Sequence, residues 1–241
     1  MEPALRFALV IGFLHTSTLL VVWGVTCALL RRGAFPRFQV ANGKAPDAAL
    51  VARARRDVMP GQLLLPVACY LIVYPLWIRA GGSMAGWNSP LQLCLHILAF
   101  ILIEDTVFYF THRALHTRWL FRHVHAQHHR FRHVRGLSAE YAHPLESLAN
   151  FIAFFLGPIL LGSPFAIVVV WIPLRMLETV EAHSGYAFTA SSSRHAFHHL
   201  HAQRGCYGSF FAPWDRLLGT DRQWRAQRAA QGSQSTDQKH A

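Results

Sequence analysis

Residues 91–129 read LQLCLHILAFILIEDTVFYFTHRALHTRWLFRHVHAQHH, and this stretch decides the architecture. From Leu91 to Phe110 it is a mostly apolar run of 20 residues. That is enough to cross the hydrocarbon core of a bilayer as a helix, at about 1.5 Å per residue. Directly behind it come His112, His116, His125, His128 and His129. A spanning helix therefore delivers the chain to one membrane face, where a crowd of metal-type side chains begins.

Working outward, four further apolar runs accompany this one. Leu5 to Leu30 is long enough to span, and it reads as an anchor helix because it lacks the basic start of a cleaved signal. Residues 31–60 form a polar loop carrying Arg31, Arg32, Arg37, Lys44, Arg53, Arg55 and Arg56 against only Asp47 and Asp57. Such an excess of positive charge marks the cytoplasmic side. Gly61 to Ile78 crosses back, a Gly-rich turn at 80–87 follows, and 91–110 returns. Leu145 to Leu161 and Pro164 to Val180, separated by Gly162, Ser163 and Pro164, read as a helical hairpin that enters and leaves on one side. The pattern predicts an all-α integral membrane protein, a helical bundle of about four to five apolar segments with a cytoplasmic His-rich cap. Residues 226–241, rich in Gln, Ser, Ala and Lys, are expected to be a disordered tail.

Composition agrees. Of 241 residues, 52% are hydrophobic and 15% charged, against about 25% charged in an ordinary soluble domain. Lys and Arg outnumber Asp and Glu by 23 to 12. A nucleic-acid binder can share that imbalance, but it has no use for five apolar segments, so no nucleic-acid partner is expected. Cys27, Cys69, Cys94 and Cys206 form no C-x-x-C pair, so neither a disulfide framework nor a thiolate metal site is expected.

The histidines carry the chemistry. His112 and His116 are four apart, one turn on a helical face. His125, His128 and His129 make an H-x-x-H-H segment, and His195, His198 and His199 repeat that spacing. His183 stands alone. Neutral imidazole is the commonest metal ligand and suits iron, zinc and copper. Nine such donors exceed what one ion uses and fit a pair with open positions. An H-E-x-x-H metallopeptidase is excluded, because no histidine here is followed by Glu. A metal transporter would place its histidines inside the spans, where only His15 and His96 lie. Asp105, seven residues before His112, could accept a hydrogen bond from the N–H of a ligand imidazole, or else pair with Arg113 as a helix-end carboxylate.

The order H-x-x-x-H, H-x-x-H-H, H-x-x-H-H resembles the fatty acid hydroxylase and sterol desaturase superfamily of membrane di-iron enzymes. The finer similarity is to sterol 4-methyl oxidases. It rests on EDTVFYFTHR at 104–113, SAEYAHPLE at 138–146, RMLETVEAHSGY at 175–186 and WDRLLGTD at 214–221, covering about residues 100–225. Ala187 stands where the family often has His or Asp. The resemblance implies residues 1–90 as membrane helices and a basic loop, and 91–225 as the di-iron domain. It implies two iron ions held by His112, His116, His125, His128, His129, His183, His195, His198 and His199, with His143 as a tenth ligand or pocket residue. It further implies a lipid substrate oxidised with O2: the 4-methyl group of a sterol, where the methyl-oxidase blocks match, or alternatively another lipid, a fatty acyl chain or a different polycyclic, hydroxylated or desaturated. Electrons would come from an NAD(P)H-linked carrier such as cytochrome b5 or a ferredoxin with its reductase, since no G-x-G-x-x-G or C-x-x-C-H holds a redox cofactor in the chain itself. The implied location is the endoplasmic reticulum in a eukaryote or the inner membrane in a bacterium, with the His clusters facing the cytoplasm.

Overall fold

A computed structural model describes residues 2–40, 44–86 and 89–230. All five apolar runs are helices: α1 (Pro3–Arg31), α3 (Gly61–Arg79), α4 (Pro90–Leu115), α6 (Pro144–Leu160) and α7 (Phe165–Ala182). Shorter helices among the described residues include α2 (Ala48–Val58), α5 (Arg118–His123), α8 (Ala190–Leu200) and α9 (Pro213–Leu218). No strand occurs among the described residues, so the fold is all-α as expected. By length and composition α1 and α4 can cross a membrane, while Leu64–Arg79 and Pro144–Leu160 are apolar but shorter.

The helix starts follow local chemistry. Ser89 caps α4 by accepting from the Gln92 amide, with Pro90 at the first helical position where its missing N–H costs nothing. Thr189 and Ser192 exchange side-chain and backbone hydrogen bonds at the start of α8. Packing joins α1 to α3 and α7, and α4 to α6. Their shared core is aromatic: Phe7 meets Trp77 and Phe165, Tyr70 meets Phe155, and Phe100 meets Trp171. The outer faces remain apolar, with Phe13 70%, Leu64 77%, Ile72 68% and Leu91 67% exposed, as lipid-facing positions require. Inside the bundle Arg175 of α7 is buried and paired with Glu104 of α4 at 2.8 Å and Glu178 at 2.7 Å. A buried guanidinium is tolerable only with such partners.

Two expectations need correction. The polar loop 31–60 contains α2, an amphipathic helix whose Ala54 and Val58 pack with Phe131, Leu137 and Tyr141 beneath the cap. The tail expected at 226–241 begins as helix, since 222–230 are helical; residues 231–241 lie outside the described residues.

Candidate metal centre

The nine histidines converge from four elements. His112 sits on the last turn of α4 and His116 is its C-cap. His125, His128 and His129 lie on a 3-10 turn, His125–Arg130. His183 is the C-cap of α7, and His195, His198 and His199 lie on α8. All are buried. They fall into two groups: His112, His116, His125, His129 and His198, and His128, His183, His195 and His199. Spacing alone placed each H-x-x-H-H segment on one face. Instead the segments are shared, the 125–129 turn giving His128 to the second group and α8 giving His198 to the first. Ala187 brings no donor atom, and the group containing His183 is the one of four.

The ring orientations test whether a metal fits. Backbone carbonyls can only accept, so the ring nitrogens facing them must carry the protons. His112 Nδ1 donates to Tyr207 O at 2.9 Å, and His198 Nδ1 to Gly205 O at 2.8 Å. His183 Nδ1 donates to Thr179 O and His199 Nδ1 to Phe131 O, both at 2.8 Å. Their Nε2 lone pairs are thereby turned inward. In the first group Nε2 atoms of His112 and His125, His125 and His129, His129 and His198, and His198 and His116 stand 3.1 Å apart. In the second, His195 Nε2 is 2.8 Å from His183 and 3.0 Å from His199. One proton on His195 could serve only one of those neighbours. Adjacent corners of a coordination sphere with bonds of about 2.1 Å are about 3.0 Å apart, and a cation at each centre would satisfy every lone pair at once. The donor set fits a metal in each group.

Electrostatics point the same way. Burial, reinforced by neighbouring imidazoles, lowers His129 to about 3 and His116 to about 2, and holds His128, His195, His198 and His199 well below the ordinary imidazole range. Neutral imidazole is the form that ligates.

The orienting residues are not the two expected. Asp105 touches no histidine and does not pair with Arg113; its carboxylate accepts from the Phe211 and Ala212 amides at 2.8 and 3.2 Å, fixing the start of α9. Seven residues along a helix is about 10 Å, too far for it to reach the His112 ring. His143 belongs to neither group; it is the N-cap of α6 and accepts from the Leu145 amide at 3.2 Å. The carboxylate that does face a histidine is Glu146, whose Oε2 lies 2.9 Å from His125 Nδ1. A second support is Asp215, which accepts from the Tyr207 and Gly208 amides at 3.0 and 2.6 Å and from Thr220 Oγ1 at 2.5 Å. It braces the loop whose carbonyls hold His112 and His198. Gly205, at φ +92°, is required there because any Cβ would overlap the Thr220 carbonyl. Both carboxylates were inside motif blocks visible in the sequence, but nothing local told them from their neighbours.

A cavity of about 530 Å³ reaches this centre from between α3, α6 and α7. His112, His125, His128, His183 and His195 form its end wall, drawn from both groups. Phe108, Phe151, Phe154 and Met176 line its flank, and Tyr70 lies against Phe151 and Phe155 further in. From Glu146 to Phe154 along α6 is about 12 Å.

The sequence model of the fatty acid hydroxylase family matches residues 97–220. Among relatives, a very-long-chain aldehyde decarbonylase of Oryza sativa subsp. indica is 33% identical, with 93% of this chain and 89% of the relative covered. Methylsterol monooxygenase 2-2 of Arabidopsis thaliana is 34% identical over 82% of this chain and 79% of its own length. Methylsterol monooxygenase 1 of Rattus norvegicus is 39% identical over 59% and 51%. No solved structure matches. With its histidines, helices and matched span in agreement, the chain belongs to the fatty acid hydroxylase family.

Proposed function

We propose that the nine histidines hold two iron ions and that the chain is a membrane oxygenase, oxidising a lipid with O2 and electrons from outside. The observation that carries this reading is the shared wall, where histidines of both groups close the end of a largely apolar cavity between apolar helices. Bound iron supplies O2 activation strong enough to oxidise an unactivated C–H bond. The protein's part is placement and exclusion. The aromatic flank admits hydrocarbon and keeps water from the reacting carbon. Ser147 and Asn150, on the turn of α6 after Glu146, can orient a substrate hydroxyl. Deeper in, His15 Nδ1 and Tyr70 OH pair at 2.7 Å, which satisfies two polar groups in an otherwise greasy channel.

The substrate we assign is a 4-methyl sterol, oxidised at that methyl to the alcohol. Support comes from the methylsterol monooxygenase relatives and the blocks around residues 138–146 and 175–186. The volume is within the ~300–1,000 Å³ of small-molecule sites. A second reading is a long-chain aldehyde, favoured by the decarbonylase relative that covers 93% of the chain. Electrons would arrive from a cytochrome b5 or ferredoxin with its NAD(P)H-linked reductase, on the cytoplasmic side.

The test is expression with a reductase system in cells that make 4,4-dimethylsterols and are fed a long-chain aldehyde, followed by mass spectrometry. Consumption of the dimethylsterol with a new 4-hydroxymethyl product supports the first reading. Unchanged sterols beside a hydrocarbon one carbon shorter than the aldehyde supports the second. No change in either, or in hydroxylated fatty acids, refutes the lipid oxygenase.

A further inference from the structure

The histidine centre has two accessible sides, and no histidine lines both. The 530 Å³ cavity touches His112, His125, His128, His183 and His195. A separate surface depression of about 350 Å³ is lined by His129 and His199, with Phe121, Arg132, His201 and Arg204 around them. His129 belongs to the first group and His199 to the second, so this one depression reaches each group through a single imidazole. Its walls come from two stretches, 121–132 and 199–204, that together hold four Arg and no Asp or Glu. Arg122, Arg130, Arg132 and Arg204 on these segments are exposed. A greasy substrate path and a cationic depression thus meet the same centre from different sides.

We infer that this depression is the docking surface of an acidic one-electron carrier, and that electrons enter beside His129 and His199. The inference rests on the oxygenase reading above. Arginine fits the task because its guanidinium stays charged and pairs with carboxylates in two-pronged fashion. A field of one sign steers an acidic partner to the spot and sets its orientation more than its final affinity. An anionic membrane would also be drawn to arginines, but it gains nothing from two imidazoles at the floor of a depression. Each docked carrier gives up one electron and leaves oxidised. Two visits provide two electrons, which with O2 and two protons turn one C–H into C–OH and release one water. Because carrier and lipid use separate faces, neither need leave for the other to bind.

The test uses full-length, metal-loaded protein in nanodiscs of zwitterionic lipid, titrated with the soluble domain of an acidic cytochrome b5. In Arg132→Glu/Arg204→Glu the dissociation constant should rise about tenfold or more at low salt, and the salt dependence seen with the wild type should flatten. The neutral Arg132→Gln/Arg204→Gln should show a smaller rise. Arg37→Glu/Arg53→Glu changes net charge equally but lies outside the depression, and should bind as the wild type does. Equal weakening by both charge reversals, or none by either, overturns the inference, as does a loss confined to binding of phosphatidylglycerol vesicles. Binding is read without turnover: site-specific loss of the carrier in a protein that oxidises no lipid would refute the oxygenase and leave the docking surface standing.

Discussion

His129 and His199 meet across the boundary between the two histidine groups, ring centroids 4.7 Å apart and tilted by 30°. Each comes from an H-x-x-H-H segment, and each segment lends its middle histidine to the opposite group. The groups are therefore interlocked: neither can move without carrying part of the other. Interlocking also gives each ring a neighbour, so that the carbonyls outside the centre can set tautomers inside it.

Glu146 should control one group and not the other. Glu146→Ala leaves His125 Nδ1 without its carboxylate, and loss of such a partner lowers metal affinity about 10–100-fold. In a His128→Ala background, where the second group is broken, chelator competition reads the first group alone. Glu146→Ala should weaken it there, and Glu146→Gln, which keeps an acceptor oxygen, should weaken it less. Unchanged affinity in Glu146→Ala would remove Glu146 from the centre.

Asp215 should act on the same group at one remove. Asp215→Ala strands the Tyr207 and Gly208 amides, at roughly 1–3 kcal/mol per buried unsatisfied group, and frees the loop that holds His112 and His198. Thermal stability should fall and first-group affinity with it. A stability loss with first-group affinity intact would make Asp215 a fold residue only.

Much of this was legible in the sequence because it is local. Five apolar runs and nine clustered histidines are properties of short windows, and all became helices and a cage. What failed depended on partners far along the chain. The helix α2 (AALVARARRDV) reads as polar loop until Phe131, Leu137 and Tyr141 arrive to cover Ala54 and Val58. Spacing could not foresee that 125–130 would wind as a 3-10 turn, or that the bundle would set His128 opposite His183. His143 and Glu146 share one block, yet Pro144 starts the helix between them, spending His143 on the cap and turning Glu146 inward. Asp105 was matched to His112 by helix period, while its partners are amides more than a hundred residues later.

Acid should destabilise the metal-free protein. His129 at about 3, His116 at about 2, and His195 and His198, also held well below the ordinary range by burial, stay neutral when folded, whereas free imidazole protonates near pH 6.5. Below about pH 6.5 the unfolded chain binds protons that the folded chain does not, so unfolding becomes easier as pH falls; above it these groups contribute no slope. The Tm of chelator-treated protein should drop between pH 7.5 and 5.5. A Tm that rises over that interval would contradict neutral, buried rings.

We propose that the basic loop at 31–60 and the histidine cap lie on the cytoplasmic side. Single cysteines at Ala45→Cys and Ala230→Cys, in a background lacking the native thiols, should label from the same, cytoplasmic side. Labelling from opposite sides would reverse the proposed placement of the cap.

Metal content tests the central claim most directly. Protein purified after iron supplementation should carry about two metal ions per chain, one for each histidine group. His198→Ala should cost the ion of the first group and His128→Ala that of the second, each lowering the count to about one and abolishing oxidation. Two ions retained in both variants, or none bound by the wild type, would contradict a paired metal centre built from these nine histidines.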